Sequence, residues 1–134
     1  MNVTRATGTF EVQLAPLPPY NTDDAALGRM SIDKQLQGDL EATSKGEMLS
    51  AGTGAKGSAG YVAIESVAGT LNGRTGTFVF QHSATMNRGV PTLSVSVVPD
   101  SGTGELTGLT GTFLINITDG KHSYEFDYTL PSTP

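Results

Sequence analysis

The 134-residue chain contains no cysteine and no tryptophan. Without cysteine there is no disulfide framework, no thiolate metal site and no thiol nucleophile. This agrees with a reducing, cytoplasmic compartment. Positive charge is also scarce: eight Lys and Arg stand against thirteen Asp and Glu, a net charge of −5, and the cations are scattered. Nucleic acid needs a clustered basic face, so nucleic acid is not expected as a partner, and neither is an anionic membrane. No apolar run approaches the ~18 residues of a membrane span. The opening Met1-Asn2-Val3-Thr4-Arg5 has no apolar core of a secretory signal. Among catalytic signatures, Gly-x-Ser-x-Gly is missing, which argues against a serine hydrolase. Two histidines with nearby carboxylates would suit a metal, yet neither HExxH nor His-x-His spacing occurs, so no metal and no other cofactor is expected. Ser101-Gly102-Thr103-Gly104 matches a phosphate cradle only in composition; with no helix expected after it, the segment is read as a turn.

What the chain does have is glycine, seventeen residues of it, with 37% hydrophobic and 16% charged residues. That composition is globular, and the glycines imply many tight turns between short strands. Residues 1–134 are expected to form a single domain. From Met30 to Thr43 the residues alternate: Met30, Ile32, Leu36, Leu40 and Ala42 on one side, Ser31, Asp33, Gln35, Gln37, Asp39, Glu41 and Thr43 on the other. Such period-two patterning marks a half-buried strand. Gly38 is read as a bend within it, and Lys45-Gly46 as the hairpin that ends it. Asn72-Gly73 and Asp119-Gly120, flanked by alternating residues, are strong hairpin signals. If Leu71 faces Arg74, then Ala63 faces His82, Glu65 faces Phe80 and Val67 faces Phe78, on one side of the sheet with Tyr61. The second hairpin puts Phe113, Ile115 and Ile117 on the side of His122, Tyr124, Phe126 and Tyr128. Two further strands, Thr7–Leu14 and Thr92–Val98, point Phe10, Val12, Leu14 and Leu93, Val95, Val97 inward. Thr-Gly-Thr-Phe occurs at Thr7, Thr75 and Thr110, each time as a strand entry with glycine at a corner.

No segment holds a helical period. Eight strands with mostly short connections predict an all-β fold, an eight-stranded antiparallel up-and-down β-barrel, which leaves no exposed edge and whose interior is either filled or holds one small ligand. Connections alternate between the two ends of a meander. One end collects Ala15–Ala26, Gly52–Gly60, Thr85–Pro91 and Asp119-Gly120, two of them long, and long loops on a rigid scaffold are where sites are built. His82 and His122 both point inward toward that end. Glu65 is a carboxylate on an apolar face, diagonal to His82, and Lys34 is the cation among Met30, Ile32 and Leu36. Buried ionisable groups are costly unless paired, and their proton affinities move. Glu65 is therefore a candidate general base or stabiliser of positive charge, with His82 tuning it. The plainer readings stand beside it: Lys34 and Glu65 as an interior ion pair, His82 as a rim histidine, His122 as a turn residue, Tyr61 and Tyr124 as barrel-filling aromatics. Arg74, after its turn, is read as solvated or turn-bracing.

Taken jointly, several segments resemble a bacterial family known as domain of unknown function 3224. They are Gly38-Asp39-Leu40-Glu41, Gly57-Ser58-Ala59-Gly60-Tyr61, Gly69-Thr70-Leu71-Asn72-Gly73-Arg74, Gly76-Thr77-Phe78, Gln81-His82, Val98 to Leu106, and His122-Ser123-Tyr124-Glu125-Phe126-Asp127-Tyr128. Nearly the whole chain is covered, and Glu65, Arg74 and His82 are its motif residues. The resemblance implies a barrel like that of plant allene oxide cyclase, whose mostly apolar cavity uses a glutamate and a bound water to steer a ring closure. Glu65 matches that glutamate in environment alone.

The expected function is a cofactor-independent isomerase, cyclase or lyase acting on a small hydrophobic molecule. Glu65 and His82 are its catalytic candidates; Lys34, Tyr61, Phe78, Phe80, His122 and Tyr124 are its ligand-binding candidates. The alternatives are a non-catalytic, calycin-like carrier, and a filled barrel that forms a homo-oligomer through Val62, Ile64 and Val79 on its outer face.

Overall fold

The structure, a computed structural model, describes residues 2–131. Eight antiparallel strands follow in order: β1 (Thr4–Leu17), β2 (Leu27–Gly38), β3 (Leu40–Gly52), β4 (Ala59–Leu71), β5 (Arg74–Asn87), β6 (Val90–Val97), β7 (Thr110–Thr118) and β8 (Lys121–Thr129). Each pairs with the next, and β1 pairs with β8, so the sheet is a closed up-and-down barrel. A short 3₁₀ turn, Gly104–Leu106, lies between β6 and β7. Among the described residues no helix is long and apolar enough to cross a membrane.

Both Asx-Gly hairpins form as expected, with Ala63 opposite His82, Glu65 opposite Phe80, and Ile117 opposite His122. Asn72 and Asp119 adopt φ of 46° and 52°, as a two-residue turn of this hand requires. The stretch Met30–Thr43 is not one strand. It folds back at Asp39, with Leu36 opposite Ala42 and Lys34 opposite Ser44. Because a single residue makes the turn, even-numbered positions face inward on both arms, and the alternation runs through the reversal unbroken. Lys45-Gly46, expected to be that turn, lies within β3 instead. Gly46 faces Glu65, and a Cβ there would collide with the β4 backbone at Ile64 and Glu65. The expected Thr85–Pro91 loop is mostly strand, closed by Arg88-Gly89 with φ of 48° and 89°.

The interior is layered. The connection between β6 and β7 closes one end by burying Leu106 and Leu109 in the same hydrophobic core as Leu40, Leu71 and Tyr128. Its Ser101 and Thr103 hydroxyls and Glu105 carboxylate accept hydrogen bonds from the backbone N–H groups of Val79, Thr77 and Thr75. The segment read as a turn is therefore an extended lace along β5. Above this plug, Phe78, Phe80, Phe113, Tyr124 and Phe126 pack ring on ring, with centroids 4.8–6.0 Å apart. The opposite end, which carries residues 18–26 and 53–58, is open.

Closure is uneven there. Strands β6 and β7 meet at one pair, Ser96 with Thr112, and β8 accompanies β1 only as far as Phe10. Toward the open end, the edges of β6 and β1 thus run past their neighbours. Each of these edges carries a proline, Pro91 and Pro16. Proline offers no N–H to an added strand, which blunts an edge against pairing with another chain.

Candidate functional site

Alternation along β2, β3, β4 and β5 brings Lys34, Ser44, Glu65 and His82 to one level of the interior, between the aromatic layer and the open mouth. Glu65 has no solvent exposure and His82 retains 3%. The Glu65 carboxylate is fully engaged. Its Oε1 accepts from the Ser44 hydroxyl at 2.8 Å, and its Oε2 accepts from Lys34 Nζ at 2.9 Å. His82 Nε2 contacts that same Oε2. Burial, the largest influence on this carboxyl, would raise its pKa. His82 and Lys34 together outweigh that and hold it at about 2.

The level continues to both sides. Lys34 Nζ sits 5.0 Å from the centroid of the Phe10 ring, a cation–π distance, and Phe10 lies 5.1 Å from the His122 ring. On the other side, the Tyr61 and His82 rings are 6.3 Å apart. Burial and then the charge of Glu65 push the Tyr61 hydroxyl above its usual pKa. His122, Phe10, Lys34, Glu65, His82 and Tyr61 thus form a belt across the barrel.

Above the belt is an apolar pocket of about 490 Å³. Its wall includes Met48, Tyr61, Ala84, Met86, Pro91 and Leu93. Inward positions step by two along a strand, so His82 lies one step beneath Ala84, and Glu65 two steps beneath Tyr61. The arrangement is an apolar, small-molecule-sized mouth with a charged base beneath it; the lining of the pocket stops at Tyr61 and Ala84, above Glu65 and His82. Chemically, the base offers a carboxylate–imidazole pair and a nearby phenol for proton handling. Among the described residues, no three His, Asp or Glu side chains gather as a metal ion would require.

Of the residues singled out in the sequence, Lys34, Tyr61, Glu65, His82 and His122 share the belt. Phe78 and Phe80 lie beneath it in the packed aromatic layer. Tyr124 is placed further off, at the closed end. Its hydroxyl accepts from the Leu40 N–H at 3.0 Å and donates to the Gln37 carbonyl at 3.0 Å, bracing the Asp39 turn. Gly8 is what admits that hydroxyl, since any Cβ there would meet it and the Gln37 carbonyl. Arg74 is exposed beside its turn. Sequence reasoning missed Ser44, Met48 and Met86. Ser44 shares the even-numbered phase of Leu40 and Ala42, a signal hidden by placing a turn at Lys45-Gly46.

No curated protein matches the chain. A 1.84 Å crystal structure of a protein of unknown function from the DUF3224 family of Shewanella oneidensis MR-1 is closely similar. It has a TM-score of 0.93 and 52% sequence identity, covering 98% of this chain and 100% of that one. The family model described as "Protein of unknown function (DUF3224)" matches residues 6–128. The chain belongs to the DUF3224 family.

Proposed function

We propose that the barrel takes a small, largely apolar molecule into its mouth and converts it without a cofactor, as an isomerase, cyclase or lyase. One observation carries this reading: three ionisable side chains, Lys34, Glu65 and His82, are buried together one to two inward steps below Ala84 and Tyr61, which line an apolar pocket of ligand size. Burying ions is expensive, and a barrel selected for stability alone would fill this layer with apolar groups. The depressed pKa refines the roles. With its carboxyl at about 2, Glu65 is an anion at neutral pH. It would orient His82 and stabilise positive charge, leaving proton transfer to the imidazole and to Tyr61. Phe78 and Phe80 would support the base from below. The reading includes a cytoplasmic setting, in keeping with a cysteine-free chain.

A second reading, a non-catalytic carrier, is favoured by the same three partners of Glu65, which hold its carboxyl at about 2 and make it a weak base toward a substrate proton. Native mass spectrometry of the purified protein, followed by incubation of the recovered molecule with fresh protein, separates the two. Conversion by the wild type, reduced about 100-fold in His82→Ala, is the expected result. Equal conversion by His82→Ala and Glu65→Gln overturns the catalytic reading. A molecule that the wild type binds and returns unchanged establishes the carrier.

A further inference from the structure

We infer that Ser44 is a positioning residue of the mouth site, acting through Glu65 on the His82 ring; the inference rests on the reading that a ligand meets that ring. Ser44 occupies an inward position of β3 between Ala42 and Gly46, where packing alone would call for an apolar side chain. It is 3% exposed. Its hydroxyl donates to Glu65 Oε1, while Lys34 and His82 both address Oε2.

The asymmetry matters because the terminal torsion of a glutamate is broad and nearly two-fold. With donors on Oε2 alone, the carboxylate is free to tilt or to exchange its oxygens. A third donor on Oε1 sets its plane. Gly46, opposite Glu65, lets the β3 and β4 backbones approach closely at this level. Lys34 Nζ also lies 5.0 Å from the centroid of the Phe10 ring, a second attraction that favours its present position. Ser44 thereby keeps Oε2 aimed at His82 Nε2. An imidazole nitrogen facing a carboxylate carries the hydrogen, so the other nitrogen, Nδ1, becomes the acceptor left for chemistry. Glu65 and Ser44 need not touch a ligand; they determine which ring nitrogen can.

The chain has two histidines, so ring-¹⁵N NMR of histidine-labelled protein reads His82 directly, with His122 as an internal control. With the rings neutral, wild-type His82 is expected to show well-separated nitrogen shifts, Nε2 being the protonated one. In Ser44→Ala the two His82 shifts move toward each other as the proton spreads over both nitrogens, and those of His122 stay in place. Ser44→Cys keeps the side chain near its size but weakens the donor, so an intermediate separation is expected; it also carries the test if Ser44→Ala fails to fold. Unmoved His82 shifts in the folded variant overturn the role of Ser44. Fluorescence of N-phenylnaphthylamine, a neutral apolar dye, tests the pocket separately: binding that is lost in Met48→Asp supports it. Converging His82 shifts without dye binding overturn the pocket reading and leave Ser44 standing. Dye binding with unmoved shifts does the reverse.

Discussion

The two ends of the barrel interior use the same alternation of inward and outward residues but arrive at opposite results. At the closed end, Phe78, Phe113, Tyr124 and Phe126 are buried, and Leu106 and Leu109 plug the opening. At the mouth, inward-phase residues remain in contact with water: Leu14 is 46% exposed and Ile117 65%. Between them lies the charged belt. The difference teaches that dense apolar packing and open, charge-bearing lining are divided along the barrel axis. Dense packing at one end supplies the rigidity on which a loosely packed, partly open end can hold a preorganised charged group.

One of the two largest expected effects comes from the closed end, the other from the belt. Phe126→Ala removes a ring that contacts Phe78, Phe80, Phe113 and Tyr128, and should cost about 3–5 kcal/mol in urea unfolding. Met48→Ala at the half-buried mouth should cost about 1 kcal/mol, because little packing surrounds it. Equal losses would erase the contrast. Glu65→Ala leaves Lys34 buried and uncompensated and should cost about 3–5 kcal/mol. A loss under about 1 kcal/mol would mean that water already reaches the belt. Tyr124→Phe takes one hydroxyl from the Asp39 turn and should cost about 1–3 kcal/mol.

Acid sharpens the same comparison, since among the described residues the closed end has no comparably buried acid. The Glu65 carboxyl stands at about 2 in the folded barrel against 4.5 when unexposed to its partners, because His82 and Lys34 outweigh the effect of burial. Unfolding therefore takes up a proton in this range. The stabilisation is whole above pH 4.5 and is lost as the pH falls toward 2. In Glu65→Gln this part of the acid dependence should vanish from unfolding curves measured across that window.

Much of this division was legible in the sequence, and the remainder was hidden for physical reasons. Asn72-Gly73 and Asp119-Gly120 are turns whose chemistry fixes the pairing register, and a fixed register alone places Glu65, His82 and Tyr61 on one wall. The turn at Asp39 was invisible to the same method. A one-residue reversal does not invert the phase of alternation, so Met30–Thr43 reads as a single strand. That reading moved a hairpin to Lys45-Gly46 and concealed both the inward hydroxyl of Ser44 and the close backbone approach that Gly46 permits. Tyr124 has the phase expected of it, yet phase says nothing of height along the axis. Its distance from the mouth follows from the register of β8 on β1, a long-range pairing that no local signal announces.

The most direct measurement replaces the belt outright: Lys34→Met, Glu65→Leu and His82→Phe in one protein, with urea unfolding and conversion of the recovered ligand followed side by side. If the buried charges are held for function, this variant should be as stable as the wild type or more so, and should have lost its activity. A triple variant that is markedly less stable, yet converts the ligand at the wild-type rate, would contradict the account.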